Sequence, residues 1–282
     1  MQIEGKAAIV SGTSGIGRAA VLSLAERGAR VVVADVDEEG DRTTVDMAGD
    51  GGGVAVFCRC DVTKTEDLGS VMDLAIERFG NLDIAFNNAG IGGEDLFADD
   101  PGDWVRTINI DLIAVIDATR LAVRQMRRAG SAGAIVNTAS LIGLWPMPGA
   151  PVYAAAKAGV VNFTRSLGYL AEESGIRVNA ICPELVDTPM ALALGEQQLE
   201  ELRRSGGILT PKDIAAGVIE LVEDDSRFGE VMQITSSGGS MCWCRLLQSI
   251  MWKLAGVLPN RTWCYGPGLC ASPPPGSTSS PP

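Results

Sequence analysis

Residues 11–17 read SGTSGIG and separate an apolar run, KAAIVS at 6–11, from a stretch of helical periodicity at 18–27. A glycine-rich turn between a buried strand and a helix lets the backbone approach an anion at the helix N-terminus, where free N–H groups favour negative charge. The placement predicts a phosphate-binding loop at the start of a βαβ unit. An ordinary strand-to-helix turn is the alternative.

Strands and helices alternate along the first 235 residues. Apolar runs predict strands at 6–11, 30–34, 54–60, 82–87, 134–138, 177–182 and 231–235. Helical patterns lie between them at 18–27, 37–48, 65–79, 104–128, 150–174 and 211–223. Continuous apolar strands separated by helices indicate a parallel sheet covered on both faces. Right-handed crossovers then give an α/β fold with a doubly wound, Rossmann-like sheet in a single domain.

The composition excludes several classes of function. The 282 residues carry 23 basic and 35 acidic side chains, and a net charge of −12 argues against a nucleic-acid partner. The chain has no histidine, which removes Ser-His-Asp hydrolysis and histidine-ligated zinc. The start, MQIEGKAAIV, does not read as a signal peptide, and no apolar run is long enough to span a membrane. Seven cysteines without zinc-like spacing indicate reduced thiols in a cytoplasmic protein that holds no metal.

The composition changes near residue 236. The stretch 236–282 contains no Asp or Glu, and it holds four of the seven cysteines and three of the five tryptophans. Its end, ASPPPGSTSSPP, is typical of disorder, and only 246–258 could form a short helix. We therefore predict a domain at 1–235 and an anomalous tail at 236–282 that is foreign to the main fold.

Asp35 ends the second predicted strand, eighteen residues after Gly17. A carboxylate at that point can accept hydrogen bonds from adenine-ribose hydroxyls and would repel a 2′-phosphate. No arginine follows it, since residues 35–40 read DVDEEG. This pattern favours NAD over NADP, and a helix-capping role for Asp35 is the alternative.

Tyr153 and Lys157 are four residues apart on a predicted helix and therefore share a face. An ammonium beside a phenol stabilises the phenolate, so this tyrosine can serve as a general base without any histidine. Ser140 lies thirteen residues before Tyr153, just past the fifth predicted strand, where its hydroxyl could bind a substrate oxygen.

Taken together, the motifs resemble those of the short-chain dehydrogenase/reductase family over residues 3–235. They occur in the family's order: SGTSGIG, Asp35, Asp61-Val62, the Asn-Asn-Ala-Gly run at 87–90, Asn109, Ser140, Tyr153 with Lys157, and 183–188. The resemblance implies a dehydrogenase that transfers a hydride between a secondary alcohol and NAD.

The resemblance also assigns roles. Tyr153 would be the acid/base, Ser140 would polarise the substrate oxygen, and Lys157 would hold the nicotinamide ribose. Asn109 would hold a water that links Lys157 to solvent. The residues implied in cofactor binding are Ser11, Gly12, Gly15, Ile16, Gly17, Asp35, Asp61, Val62, Asn88, Ala89, Gly90, Tyr153, Lys157, Pro183, Val186 and Thr188.

Three features depart from the family pattern. Two residues separate Gly12 from Gly15 where the family has three, Glu184 follows Pro183 where the family has glycine, and the tail begins where the family closes its substrate pocket. The shortened loop and Glu184 are each expected to weaken cofactor binding. They leave open a second hypothesis, a catalytically impaired NAD-binding or interaction protein.

Residues 207–235 are similar to the 15-hydroxyprostaglandin dehydrogenase-like subgroup of the family, which favours an apolar secondary alcohol. Residues 190–206 carry apolar side chains at Met190, Leu192, Leu194, Leu199 and Leu202. These could line a hydrophobic pocket or form a helical stripe that packs on the core. The resemblance further implies a homodimer or homotetramer that assembles through the helices near 104–128 and 150–174.

Overall fold

The computed structural model of the protein describes residues 1–93, 96–99, 102–237 and the backbone of 240–243. Its strands are β1 (Ala7–Ser11), β2 (Arg30–Asp35), β3 (Val54–Arg59), β4 (Ile84–Asn87), β5 (Gly133–Thr138), β6 (Ile176–Pro183), β7 (Val231–Ile234) and β8 (Ser240–Trp243). Its α-helices are α1 (Gly15–Glu26), α2 (Glu38–Asp50), α3 (Thr65–Phe79), α4 (Trp104–Ile108), α5 (Ala114–Ala129), α6 (Pro151–Ser166), α7 (Leu170–Ser174), α8 (Glu196–Ser205) and α9 (Pro211–Glu223).

The strands form one sheet in the order β3-β2-β1-β4-β5-β6-β7-β8. The first seven run parallel, and β8 pairs antiparallel with β7. From β1 the strand order runs toward β3 on one side and toward β8 on the other, so the topological switch point lies between β1 and β4. In doubly wound sheets, ligands bind at such switch points. The predicted fold is confirmed.

Both faces of the sheet are buried. In β1, Ala8 and Val10 pack toward the cluster that contains Leu24 of α1, whereas Ala7 and Ile9 pack toward the cluster that contains Met126 of α5. Successive side chains of a strand point to opposite faces, so helices are needed on both sides to cover an apolar strand. This layering holds the carboxyl ends of the strands in a fixed frame.

Two long predicted helices are interrupted. The first is built from α4, a π-helical turn (Asn109–Ile113) and α5, and the second ends at Ser166 before resuming as α7. π-Turns of this kind widen a helix by one residue and change which side chains point inward. The interruption at 109–113 lies beside the cleft described below.

Residues 240–243, near the beginning of the tail, form part of the sheet. Ser240–Trp243 is the edge strand β8, although the sequence places the beginning of the tail outside the fold. The predicted helix at 246–258 and the predicted disorder at the chain end lie outside the described residues.

The described residues contain no helix that is both long and apolar enough to cross a bilayer. In the same part of the chain, Cys58, Cys60 and Cys182 are free thiols.

Candidate active site

A cleft of about 990 Å³ opens at the carboxyl ends of the parallel strands, over the switch point. Most of the sequence-predicted site residues line it: Gly12, Gly15, Ile16, Asp35, Asp61, Val62, Asn88, Ala89, Gly90, Asn109, Ser140, Tyr153, Lys157, Pro183, Val186 and Thr188. These residues come from distant parts of the chain, and the parallel sheet brings them together because it gathers all its carboxyl ends at one edge.

The glycine-rich turn forms one end of the cleft. Gly12 has φ +67°, and a Cβ atom there would lie 2.5 Å from the Ala89 Cα, so the two backbones can approach only because residue 12 is glycine. The Asn88 Nδ2 group donates to the Gly12 carbonyl at 2.6 Å. The turn after β4 therefore holds the shortened loop in place through this hydrogen bond.

Asp35 stands at the end of β2 on the same side of the cleft. Its Oδ2 accepts the Thr13 N–H at 2.8 Å, and its Oδ1 accepts the Val36 N–H at 2.6 Å. The backbone fixes the carboxylate at the mouth of the cleft. A glycine cradle at a helix N-terminus with a carboxylate beside it fits the pyrophosphate and ribose of a dinucleotide.

A second carboxylate, Asp41 of α2, lies beneath this loop and was not identified from the sequence. Its Oδ1 accepts the Thr13 hydroxyl, and 2% of the residue is exposed. Within the described part of the chain, its Oδ2 has no hydrogen-bond partner. Burial raises the pKa of Asp41 to about 6, with smaller contributions from the charges of Asp35 and Asp37. The Thr13 hydroxyl and the Arg18 guanidinium act in the opposite direction. Thr13 therefore ties the short loop to α2.

Asp61 lies farther along the wall of the cleft, after β3. Its Oδ1 accepts the Thr63 hydroxyl at 2.7 Å and the Thr63 N–H at 3.1 Å. These bonds lower the pKa of the Asp61 carboxyl. The Asp61 side chain therefore stabilises the turn after β3, and this turn lines the cleft.

Tyr153 and Lys157 share one face of α6 at the other end of the cleft. The Lys157 Nζ lies 5.5 Å from the centroid of the Tyr153 ring and donates to the Thr138 carbonyl at 3.1 Å. Ser140 follows β5 on the same wall, and its Oγ accepts the Ile142 N–H at 3.3 Å. A phenol, an ammonium and a hydroxyl thus converge where a small substrate could meet a bound cofactor.

The structure places Asp111 against Lys157. The Asp111 Oδ1 lies 3.4 Å from the Lys157 Nζ, and Asn109 lines the same cleft, where its water-holding role stays a prediction. Residues two apart on a helix point in different directions, and the π-turn turns Asp111 inward. The sequence held a signal, because Asp111 shares the helical stripe of Val115 and Ala118 and therefore faces the interior.

Two residues predicted to bind the cofactor do not line the cleft. The Ser11 Oγ accepts the N–H groups of Asn88 and Ala89 at 3.2 and 3.3 Å, and Gly17 is buried in α1 behind the Gly12 carbonyl. Ser11 and Gly17 therefore support the glycine-rich loop without lining the cleft. Asn87 is also internal, since its amide donates to Asn137 Oδ1 at 2.8 Å.

Glu184, one of the departures from the family pattern, has defined partners. Its Oε2 accepts the N–H and the hydroxyl of Ser236 at 2.8 and 3.0 Å. The carboxylate therefore binds the chain that leaves β7 while remaining at the cleft. Hydrogen bonds to an ionised group are strong, so this contact holds the two segments together.

The apolar side chains of segment 190–206 take both roles that the sequence allows: some line the cleft and others pack on the core. Met190 and Leu194 line the cleft from a 3₁₀ turn, Pro189–Leu194. Leu199 of α8 is fully buried instead. The first half of the segment forms an apolar wall, and the second half anchors it to the fold.

Comparison with known proteins places this geometry in context. A family model described as enoyl-(acyl carrier protein) reductase matches residues 10–240. The chain is 36% identical over 258 residues to the 15-hydroxyprostaglandin dehydrogenase [NAD(+)] of Bos taurus, covering 85% of this chain and 94% of the relative. It is 39% identical over 229 residues to the cis-4-hydroxycyclohexanecarboxylate dehydrogenase of Sinomonas cyclohexanicum, covering 79% and 91%.

A solved structure shows the same architecture. The crystal structure of a variant of actinorhodin polyketide ketoreductase with NADPH superposes with a TM-score of 0.77 at 30% identity, covering 84% of this chain and 98% of that chain.

Proposed function

Because the chain belongs to the short-chain dehydrogenase/reductase family, we propose that it oxidises an apolar secondary alcohol with Tyr153 as the general base. The chain is an NAD-dependent oxidoreductase, and its reaction exchanges a hydride between a secondary alcohol or ketone and NAD. The observation that carries the residue assignment is the convergence of Tyr153, Lys157 and Ser140 on one wall of the cleft.

The residues divide the work between binding and proton transfer. When bound, NAD supplies the hydride acceptor. Ser140 orients and polarises the substrate oxygen by donating its hydroxyl hydrogen to it. Tyr153, as a phenolate, takes the hydroxyl proton while the hydride leaves the carbinol carbon, so an alcohol becomes a ketone and the phenol re-forms. Lys157 stabilises the phenolate by its positive charge and is positioned by its bond to the Thr138 carbonyl.

The cofactor end of the cleft supports NAD over NADP. Asp35 presents a fixed carboxylate where a ribose would lie, and Asp37 follows two residues later. The Asp35 charge at that place repels a 2′-phosphate and accepts hydrogen bonds from ribose hydroxyls. The relatives named above include a dehydrogenase specified for NAD(+).

The departures from the family pattern do not favour an impaired protein. The shortened loop is tied down through Thr13 and Asn88, and the Glu184 charge is engaged by Ser236. Two of the three features that motivated the second hypothesis, the shortened loop and Glu184, therefore have defined partners in the structure. Dehydrogenase names among the relatives support the catalytic reading.

The apolar wall supports an apolar substrate. Met190, Leu194, Met147 and Ile91 line the same cleft as Tyr153. Side chains of this type bury hydrocarbon and leave the reacting hydroxyl to Ser140 and Tyr153. Cyclohexanol and hydroxycyclohexanecarboxylate, named in two relatives, are suitable first substrates for a screen.

A homodimer or homotetramer fits the outer surface of the helices between 104 and 166. Trp104 of α4, Ile113 of the π-turn and Ile116 of α5 are exposed large apolar side chains. An apolar hollow of about 290 Å³ lies between Trp104 and Pro151 of α6. Association would remove this surface from water. The free thiols of Cys58, Cys60 and Cys182 suit a reducing compartment such as the cytoplasm.

Replacing the proposed base tests this function. The variant Tyr153→Phe is expected to lower kcat for NAD-linked alcohol oxidation by about 10²- to 10⁴-fold, since general base catalysis contributes that much. NADH affinity, measured by fluorescence titration, should change little. Tyr169→Phe is the matched control, because Tyr169 packs against the core cluster between α3 and α5 and should retain activity. Equal turnover in wild type and Tyr153→Phe would rule the mechanism out.

A further inference from the structure

A buried carboxyl group lies directly beneath the glycine-rich loop at 11–17. Asp41 of α2 is 2% exposed, and its Oδ1 accepts the hydroxyl of Thr13, a loop residue with no exposed surface. The Asp41 Oδ2 has no hydrogen-bond partner among the described residues. A carboxylate that is removed from water and incompletely hydrogen-bonded is unfavourable, so such a group holds a proton more readily than an exposed one.

The cation that acts on Asp41 has its hydrogen bonds elsewhere. The Arg18 Nε of α1 donates to the Thr44 hydroxyl at 2.9 Å, and its Nη2 donates to the Gly40 carbonyl at 3.1 Å. The Arg18 charge lowers the pKa of Asp41 less than burial raises it. Arg18 therefore holds α1 against α2 and leaves most of the Asp41 charge uncompensated.

The other charges that act on Asp41 are negative. Burial, together with the charges of Asp35 at the end of β2 and Asp37 at the start of α2, raises the pKa of Asp41 to about 6. On the exposed side of α2, Glu38 and Arg42 pair with each other at 2.6 Å. The Asp41 carboxyl group can therefore gain or lose its proton close to neutral pH.

The loop that Thr13 ties to Asp41 is the part of the cleft that fits the cofactor's pyrophosphate. Gly12 and Gly15, on either side of Thr13, line the cleft, and α1 begins at Gly15. A pyrophosphate carries two negative charges, which an ionised Asp41 opposes. A neutral Asp41 keeps an oxygen that accepts the Thr13 hydroxyl and removes the repulsion.

We propose that Asp41 is a positioning residue for the cofactor that acts in its protonated form: the neutral carboxyl group holds Thr13 and the shortened loop, and NAD binding is coupled to the uptake of one proton from solvent at Asp41. The inference rests on the proposed function only for the identity of the cofactor, since it involves neither Tyr153 nor the alcohol.

The direction of the pH dependence follows from the charges. The pyrophosphate makes the Asp41 carboxylate less favourable, so the pKa of Asp41 is higher in the complex than in the free protein, where it is about 6. A group that holds its proton more tightly in the complex contributes affinity that is complete below about pH 6. This affinity is lost as the pH rises through the pKa of the complex. NADH should therefore bind more weakly at alkaline pH.

The test compares NADH binding between about pH 5.5 and about pH 8.5 in wild type and Asp41→Asn, both as the full-length chain. Asparagine is neutral at every pH, and its side-chain oxygen can accept the Thr13 hydroxyl. Fluorescence titration should give a Kd that rises about five- to tenfold with pH in wild type and by less than about twofold in Asp41→Asn. The variant should then bind NADH more tightly than wild type at the alkaline end, a gain that loss of a purely structural contact does not produce.

The proton uptake itself provides a second readout. Calorimetric titration of NADH into the protein, in two buffers of different ionisation enthalpy, gives the number of protons taken up per cofactor bound. Near pH 6.5 wild type should take up about half a proton, and Asp41→Asn should take up almost none. Neither readout requires turnover, so failure of the inference and failure of the proposed alcohol oxidation give different results.

Asp46→Asn is the matched control, because Asp46 is an exposed aspartate of the same helix. Its NADH affinity should follow that of wild type at every pH. Asp41→Ser, which is also neutral, replaces Asp41→Asn if that variant does not fold, and it should likewise remove the pH dependence. A wild-type Kd that does not rise with pH, the same rise in the Asp41 variant, or no NADH binding at any pH would overturn the inference.

Discussion

The two ends of the cleft each bury an aspartate, and the two aspartates differ in what they face. Asp41, beneath the glycine loop, is 2% exposed, and its Oδ1 accepts the hydroxyl of Thr13. Asp111, beneath the reaction site, has no exposed surface and meets an ammonium at 3.4 Å. In each, the Oδ2 has no hydrogen-bond partner among the residues that the structure describes.

The difference separates an aspartate that holds a loop from an aspartate that pairs with a buried ammonium. A hydroxyl can donate a hydrogen bond to either a charged or a neutral carboxyl group, so the Asp41 contact does not need the charge. An ammonium needs a carboxylate when both are removed from water. We therefore expect a neutral replacement to be tolerated at position 41 and to disrupt the ion pair at position 111.

The largest expected effect comes from removing the partner of Asp111. Lys157→Met leaves a buried carboxylate without its counter-charge and should lower the free energy of unfolding at pH 7 by about 3–5 kcal/mol. Denaturation in urea measures it. The double variant Asp111→Asn with Lys157→Met should recover most of that loss without recovering activity. If the double variant is as unstable as Lys157→Met, packing and not charge explains the loss.

Asp41→Asn tests the other aspartate through pH. The folded-state pKa of about 6 lies above the ordinary value of 3.8, so the folded state binds the proton more tightly between these two pH values. The contribution to stability is therefore complete below about pH 4 and is lost as the pH rises through 6. Asp41→Asn should be more stable than wild type at pH 8, by about 2 kcal/mol. The gain should vanish near pH 4.

Thermal unfolding of Asp41→Asn and wild type across that pH range checks this prediction. Asp46→Asn is a suitable control, because Asp46 is an exposed aspartate of the same helix α2. A stability gain in Asp41→Asn that does not change with pH would contradict a titrating carboxyl at position 41.

Asp35 provides a third comparison, because this acid faces the cleft. Asp35→Ser should weaken NADH binding about tenfold, which is equivalent to about 1.4 kcal/mol for a hydrogen bond to a charged group. The preference for NADH over NADPH should become smaller. Fluorescence titration with both nucleotides measures the change. The converse result, equal loss for NADH and NADPH, would show that Asp35 only holds the Thr13 N–H.

The smallest effect is expected at the surface. Arg120→Met breaks the ion pair with Asp117, in which the arginine side chain is 45% exposed. Water screens such a pair, so the free energy of unfolding should change by less than about 1 kcal/mol. A loss as large as that in Lys157→Met would remove the distinction between buried and exposed pairs.

Much of the site could be predicted from the sequence, because its motifs are local. The glycine turn at 11–17, Asp35 at a strand end, and Tyr153 one helical turn before Lys157 each follow from short-range spacing. All three were placed on the elements that now carry them. Asp41 and the Ser236 contact of Glu184 were not found, since each depends on contacts between segments distant in sequence. Asp111 was missed although its helical stripe indicated an interior position, and its pairing with Lys157 depends on a distant segment.

The sequence by itself determined the order of strands and helices, the doubly wound sheet and the chemical types at the cleft. Apolar periodicity and glycine placement are properties of short stretches of sequence, so they can be recognised without knowledge of the tertiary fold. Only the tertiary structure decided which carboxylate meets Lys157 and where Ser11 and Gly17 point. Side-chain direction at a π-turn and burial at a crossing of segments depend on the packing of the whole domain.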